Sequence, residues 1–223
     1  MQKFDTPAPV AAVLDIPAGH IRLIAADRSD TTVEVRPANA TKSRDVKAAE
    51  QITVEFRDGV LHVAAAPAKN RLLGNSGSVE LTIQLPAGSH VEAKAAAAEL
   101  RGVGRLGDVT FEGAQATVKL DESASTRLTV QAGDITVGRL TGPAHISTRQ
   151  GDLRIDEARR GTVELRTEHG EIAIGAARGT SATLDAGTAY GRIHNSLSNA
   201  DGAHAALDIR ATTSYGDITA RSL

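Results

Sequence analysis

The chain has 223 residues, a formal net charge of −2 at pH 7 and no cysteine. That length supports one large β domain with a substantial core, and the missing thiols remove disulfides, zinc–thiolate sites, iron–sulfur clusters and cysteine nucleophiles together. The near-balanced, interspersed charge lacks the electrostatic footprint of a nucleic-acid binder, and aromatics at 2% leave few platforms for stacking sugars or bases.

The opening Met1-Gln2-Lys3-Phe4-Asp5 is not a charged leader followed by an apolar run. No window approaches the roughly 18 apolar residues of a membrane helix. The expectation is a cytoplasmic protein without direct membrane insertion. Val13-Leu14-Asp15-Ile16-Pro17-Ala18-Gly19 is echoed by Leu81-Thr82-Ile83-Gln84-Leu85-Pro86-Ala87-Gly88, and the prolines predict strand ends rather than sheet centres. Between the two, Thr32–Val35 and Ile52–Phe56 alternate as strands do, and Ser43–Glu50 reads as one short helix. Asp58-Gly59 predicts a hairpin turn into Leu61-His62-Val63. Lys69 to Ser78, rich in Asn, Gly and Ser, reads as a mobile loop. Residues 1–88 form an N-terminal β cap continuous with the β-solenoid repeats of residues 89–223, since a repeat array needs its ends covered.

From residue 89 to the end a five-residue phrase recurs: glycine, usually an acid, an aliphatic, any residue, and often a second aliphatic. It begins at Gly133-Asp134, Gly151-Asp152, Gly170-Glu171, Gly191-Arg192 and Gly216-Asp217, at spacings of 18, 19, 21 and 25 residues. Decayed copies start at Ala98 and Ala116. A near-fixed period of this size marks a solenoid of about seven rungs of roughly 18 residues each. Counting back from each glycine, the third position holds Val130, Thr148, Thr167, Thr188 and Thr213, the fifth Leu128, Ile146, Leu165, Ala186 and Ala211, and the seventh Thr126, Ala144, Val163, Leu184 and Ile209. With a side-chain period of two, these are interior columns. Arg149, Glu164, Arg166, Glu168 and Arg210 fall between them and face solvent. A second glycine column, Gly142, Gly161 and Gly179, gives those rungs two corners. The insertion Leu197 to Gly202 is expected to emerge as a loop, a candidate contact surface.

The fold class these patterns imply is all-β: a right-handed parallel β-helix, or β-solenoid, carrying an N-terminal β cap. Asp134, Asp152 and Glu171 would stand about 4.8 Å apart, close enough for carboxylates to hold Ca²⁺. Thr117 and Arg192 interrupt that column, however, and the Gly-Gly-x-Gly-x-Asp spacing of calcium β-rolls is missing. The acids therefore read as corner supports that hydrogen-bond backbone, as Asx turns do. Thr148, Thr167, Thr188 and Thr213 read as an interior hydroxyl ladder, each bonding the next rung. If successive rungs stack in sequence order, His169 lies beside Gln150 and Tyr190, and His194 beside Ala173 and Thr219. No two histidines align, so no metal site and no cofactor are expected.

Laid out in order, the Gly-acid-aliphatic rungs and the two Pro-Ala-Gly turns resemble a bacterial β-strand-repeat family of unknown function, labelled putative adhesins and related to the toast-rack domains. The resemblance runs from Leu14 to Thr219. It implies a right-handed single-stranded β-helix, no established catalysis, and a link in some members to cell-envelope stress systems. The leading expectation is a non-catalytic scaffold that engages a protein partner or copies of itself. Two alternatives stand beside it. One is a carbohydrate-active β-helix enzyme using Glu164, Arg166 and Glu168 with Arg149, the other a secreted or surface adhesin.

Overall fold

The structure, a computed structural model, describes residues 1–65 and 77–223. The loop expected from Lys69 to Ser78 lies, but for its last two residues, outside them. The chain is nearly all β, in one large 16-stranded sheet that is mostly parallel and not closed into a barrel, a β-solenoid.

The antiparallel pairings belong to the N-terminal part. There β1 (Gln2–Asp5) pairs with β3 (Asp30–Pro37), while β2 (Ala11–Ala26) lies deeper in the sheet. Helix α1 occupies Ser43–Glu50, the residues where it is expected, and lies against β3. β4 (Ile52–Arg57) and β5 (Val60–Ala65) form a hairpin across Asp58 and Gly59. Both turn residues take positive φ, 52° and 78°, as a two-residue turn matched to strand twist requires. β6 (Val79–Pro86) then pairs antiparallel with β3 and parallel with β2.

Pro17 does not end a strand. It is the corner of β2, where the ladder to β5 stops at Asp15 and the ladder to β6 begins at Gly19. β2 is thus itself a bent rung, in parallel register along its length with β7 (His90–Ala132). The parallel ladder therefore begins one rung before residue 89.

β7 continues unbroken through several corners. After it come β8 (Ile135–Leu140), β9 (Ala144–Gln150), β10 (Leu153–Ala158), β11 (Gly161–Arg166) and β12 (Ile172–Ala176). The chain closes with β13 (Ala182–Tyr190), β14 (Ile193–Ser196), β15 (Leu207–Tyr215) and β16 (Ile218–Ser222). Each rung contributes one strand to each of two faces. Inward residues such as Leu128, Ile135, Val163, Leu165, Ile209 and Ile218 are fully buried, so one apolar core runs the length of the stack.

The rungs do not stack in sequence order. β15 pairs with β11 on one side and β13 on the other, and β16 sits between β12 and β14. The last rung of the chain is therefore inserted between its two predecessors, and β13 and β14 become the terminal rung. This corrects the expectation of sequential stacking. His169 bridges Gln150 and Tyr215, not Tyr190, and His194 pairs with Thr219 alone while Ala173 lies on the far side of Thr219.

Two differences in the sequence of the last rungs favour this order. Solvent-facing Arg210 stands between Glu164 and Asp185, whereas sequential stacking would put the two acids directly opposite each other. Asn195 occupies the inward column that holds Val137, Ile155, Ile174 and Ala220 elsewhere. An amide in mid-stack would be buried without partners at a cost of about 1–3 kcal/mol, and at the end it is exposed. No helix among the described residues is long and apolar enough to cross a membrane.

Candidate functional site

Three sets of residues organise the glycine corner. The first is the glycines themselves. Gly151 and Gly216 sit at φ +137° and +146°, and a Cβ on either would strike the corner carbonyl of the adjacent rung, Gly133 and Gly170 respectively. The same close approach links Gly133 to Ala116, Gly170 to Gly151 and Gly191 to Gly216, so the corner column records the spatial order of the rungs.

The second set is the threonines. Thr167 Oγ1 donates to Gly151 O at 3.1 Å, Thr213 Oγ1 to Gly170 O at 3.1 Å and Thr188 Oγ1 to Gly216 O at 3.0 Å. Each hydroxyl thus serves the corner carbonyl of the neighbouring rung rather than another threonine. Thr148 turns to Gln150 O in its own strand, at 3.2 Å. Thr148, Thr167 and Thr213 are buried, and Thr188, on the terminal rung, is half-buried.

The third set is the acids. Asp134 Oδ1 accepts from Asp152 N at 2.9 Å, Asp152 Oδ1 from Glu171 N at 2.8 Å, and Asp217 Oδ1 from Arg192 N at 2.8 Å. The bonds run between rungs rather than within one turn, because an extended corner leaves its N–H aimed along the stacking axis. Rung exchange places Asp217 after Glu171 and moves Arg192 to the end of the column. The Arg192 backbone N–H, with its guanidinium 3.2 Å away, holds the Asp217 carboxyl below the usual carboxylate range. Among the described residues no group of three or more His, Asp or Glu side chains is gathered closely enough to hold a metal ion.

The flanks are cross-linked by charge. Arg127, His145, Glu164, Arg210 and Asp185 form one column across one face, and His145 Nδ1 lies 3.1 Å from Glu164 Oε2. Arg149 reaches Glu168 at 3.4 Å. On the other face Arg139 lies between Glu122 and Glu157, at 3.0 and 3.7 Å. A shallow groove opens over Gly138, with Asp121 and Asp156 on either side of it. Arg101 holds Asp121 at 2.6 Å, and Arg154 holds Asp156 at 2.6 Å.

Column reading of single residues missed one feature. His169, Tyr215 and Tyr190 stack as an exposed ladder, with ring centroids 4.8 Å apart at each step and planes within 8°. Tyr190 is 66% and Tyr215 49% exposed. The signal was in the sequence, because His169, Tyr190 and Tyr215 each immediately precede a corner glycine. The insertion Leu197 to Gly202 is fastened rather than free. Ser198 N donates to Ser222 Oγ, Asp201 N donates to Ser181 Oγ, and Ser198 O accepts from Ala182 N. It carries the chain back from the terminal rung to the one beneath it.

Repeated corner glycines, inter-rung threonine and acid bonds and an uninterrupted apolar core define a parallel β-solenoid of the toast-rack kind. Residues 13–221 match the family model described as Toastrack DUF4097, and the chain belongs to that family. No curated protein matches it. Among solved structures it is similar to a putative adhesin from Parabacteroides distasonis, at 15% identity over 98% of this chain and 95% of that one, with a TM-score of 0.49. It is similar also to a putative adhesin from Bacteroides fragilis, at 14% identity over 98% and 95%, TM-score 0.46. A third is a putative lipid binding protein from Parabacteroides distasonis, at 12% identity over 98% and 95%, TM-score 0.43.

Proposed function

We propose that this chain is a non-catalytic scaffold that binds a protein partner along the flank of its rungs, in a bacterial cell-envelope stress response. The observation that carries the reading is the His169–Tyr215–Tyr190 ladder. It takes both tyrosines of a chain with only five Phe and Tyr residues and holds them outward on a rigid stack. Rigid exposed tyrosines give large contact area at small entropic cost, and they are enriched where proteins recognise one another. The carboxylates beside the Gly138 groove are engaged by arginine, which supports a scaffold over acid–base chemistry there.

The test is capture of the tagged protein from its own host after cross-linking in living cells, with wild type and the Tyr215→Ser/His169→Ser double variant in parallel. The expected result is a discrete protein that wild type retains and the double variant loses. Identical protein sets from both baits would overturn the reading.

A further inference from the structure

Rung exchange leaves the solenoid with an unusual end. Among the described residues β13 pairs only with β15, and β14 only with β16, so there the terminal rung presents two open strand edges joined at the Tyr190-Gly191 corner. Ala182 N is taken by Ser198 O in the return loop, while Leu207 N bonds Ser181 O. By strand alternation the N–H and C=O groups of Leu184 and Ala186 point out of the end. On β14 the same holds for Ile193 and Asn195, since Ile218 N bonds Arg192 O. The inward residues Leu184, Ala186 and Thr188 are only half-buried, and Ile193 is 44% exposed. The opposite end differs in build, with antiparallel pairings of β1 to β3 and β4 to β5 and with α1 against β3.

We propose that this open end is a homodimer interface, in which a second copy of the chain stacks tail to tail with β13 of each copy pairing antiparallel to β14 of the other. Three observations select that occupant. A single extended peptide can satisfy one edge but not both, and the object that matches a bent pair of strands is another rung of the same cross-section. With the two-fold axis at the Tyr190-Gly191 corner, Leu184 faces Leu197, Ala186 faces Asn195 and Thr188 faces Ile193 of the second copy. The pairs of Ala186 with Asn195 and of Thr188 with Ile193 bring outward backbone groups face to face, whereas Leu197, whose N–H donates to Asn195 Oδ1 of its own chain, adds an apolar contact to Leu184. Charge then selects crossed arms over like arms. β13 carries outward Asp185, and β14 carries outward Arg192 and His194. Crossing sets Asp185 diagonal to His194, whereas pairing β13 with β13 and β14 with β14 gathers like charges.

Because both copies offer the same surface about a two-fold axis, the contact is isologous and closes at two copies instead of growing a fibre. The inference goes beyond the flank reading; the two surfaces meet at Tyr190, while Tyr215 and His169 belong to the flank alone.

The test is sedimentation velocity of the full chain over a concentration series, with thermal melting of each variant as a control for folding. Wild type is expected to show a concentration-dependent dimer. Ala186→Pro, whose lost N–H points out of an edge strand, and Ile193→Lys are each expected to raise the dissociation constant by about tenfold or more at unchanged melting temperature. Asp185→Lys should weaken the dimer and His194→Asp in the same chain should restore it. Tyr190→Cys, in a chain with no cysteine of its own, should form a covalent dimer on oxidation. Tyr215→Ser, one rung in, should dimerise as wild type does, so failure of the dimer and failure of the flank site are read separately. A monomer throughout the series would overturn the proposal, and so would a dimer untouched by Ala186→Pro and Ile193→Lys.

Discussion

At the scale of single residues, the corners convert a sequence phrase into bonds between rungs. Thr167 is 2% exposed and its hydroxyl satisfies the Gly151 carbonyl of the neighbouring rung. Thr167→Val keeps the shape and removes the donor, so the unfolding free energy should fall by about 1–2 kcal/mol. The same change at half-buried Thr188, where water can replace the hydroxyl, should cost less than about 0.5 kcal/mol. Urea titration of the two variants measures the contrast. Thr126 is the converse case, since its buried hydroxyl has no hydrogen-bond partner among the described residues, in a column that continues through Ala144, Val163, Ile209 and Leu184. Thr126→Val should stabilise the chain by roughly 0.5–1.5 kcal/mol in the same titration. Asp30 supplies a pH dependence. Arg28, and then Lys3, bond its carboxylate and lower its pKa from 3.8 to about 2. A lowered folded-state pKa gives stability that is fully present above about pH 4 and is lost as pH falls towards 2. Melting temperatures at pH 5 and pH 2.5 should therefore diverge less in Asp30→Asn than in wild type.

At the scale of elements, the sequence made the rung legible but not its neighbours. Leu128, Ile146, Leu165 and Ala211 are buried where a period of two places them, because inward direction depends only on local alternation. Helix α1 and the Asp58-Gly59 turn were legible for the same reason, each being decided by its own residues. Stacking order is different, since every rung carries a similar Gly-acid-Ile phrase and any rung can in principle follow any other. What decides it is spread over distant positions: Asn195 in an apolar column, Asp185 against Glu164, and a gap of 25 residues between the last two corner glycines, long enough to step past a rung. The candidate site followed suit, with each ladder ring readable beside its glycine and the order of rings hidden in the exchange. Arg210 carries the electrostatic part of the stacking order. Arg210→Glu sets three acids in line with Glu164 and Asp185 and should destabilise the fold by about 1 kcal/mol at low ionic strength. Melting at high salt should recover much of the loss, because surface repulsion is screened.

At the scale of the whole molecule, a solenoid gains stability from contacts between adjacent rungs, so a rung with one neighbour should open before a rung with two. In most chains that rule makes the C-terminal repeat the first to fray. Here the exchange inverts it. The rung of β15 and β16 is held on both sides, and Leu207, Ile209 and Ile218 are fully buried although they lie near the end of the chain. The earlier rung of β13 and β14 has an open edge and an exposed Ile193. Amide hydrogen exchange of dilute, monomeric protein should therefore show faster exchange at Leu184, Ala186 and Ile193 than at Ile209, Ala211 and Ile218. Raising the protein concentration should slow exchange at Leu184, Ala186 and Ile193 as a second copy covers their outward N–H groups, and leave Ile209 and Ala211 unchanged. Fastest exchange in the last rung would mean that the rungs follow one another in sequence order, and both the exchanged topology and the open end built on it would fall together.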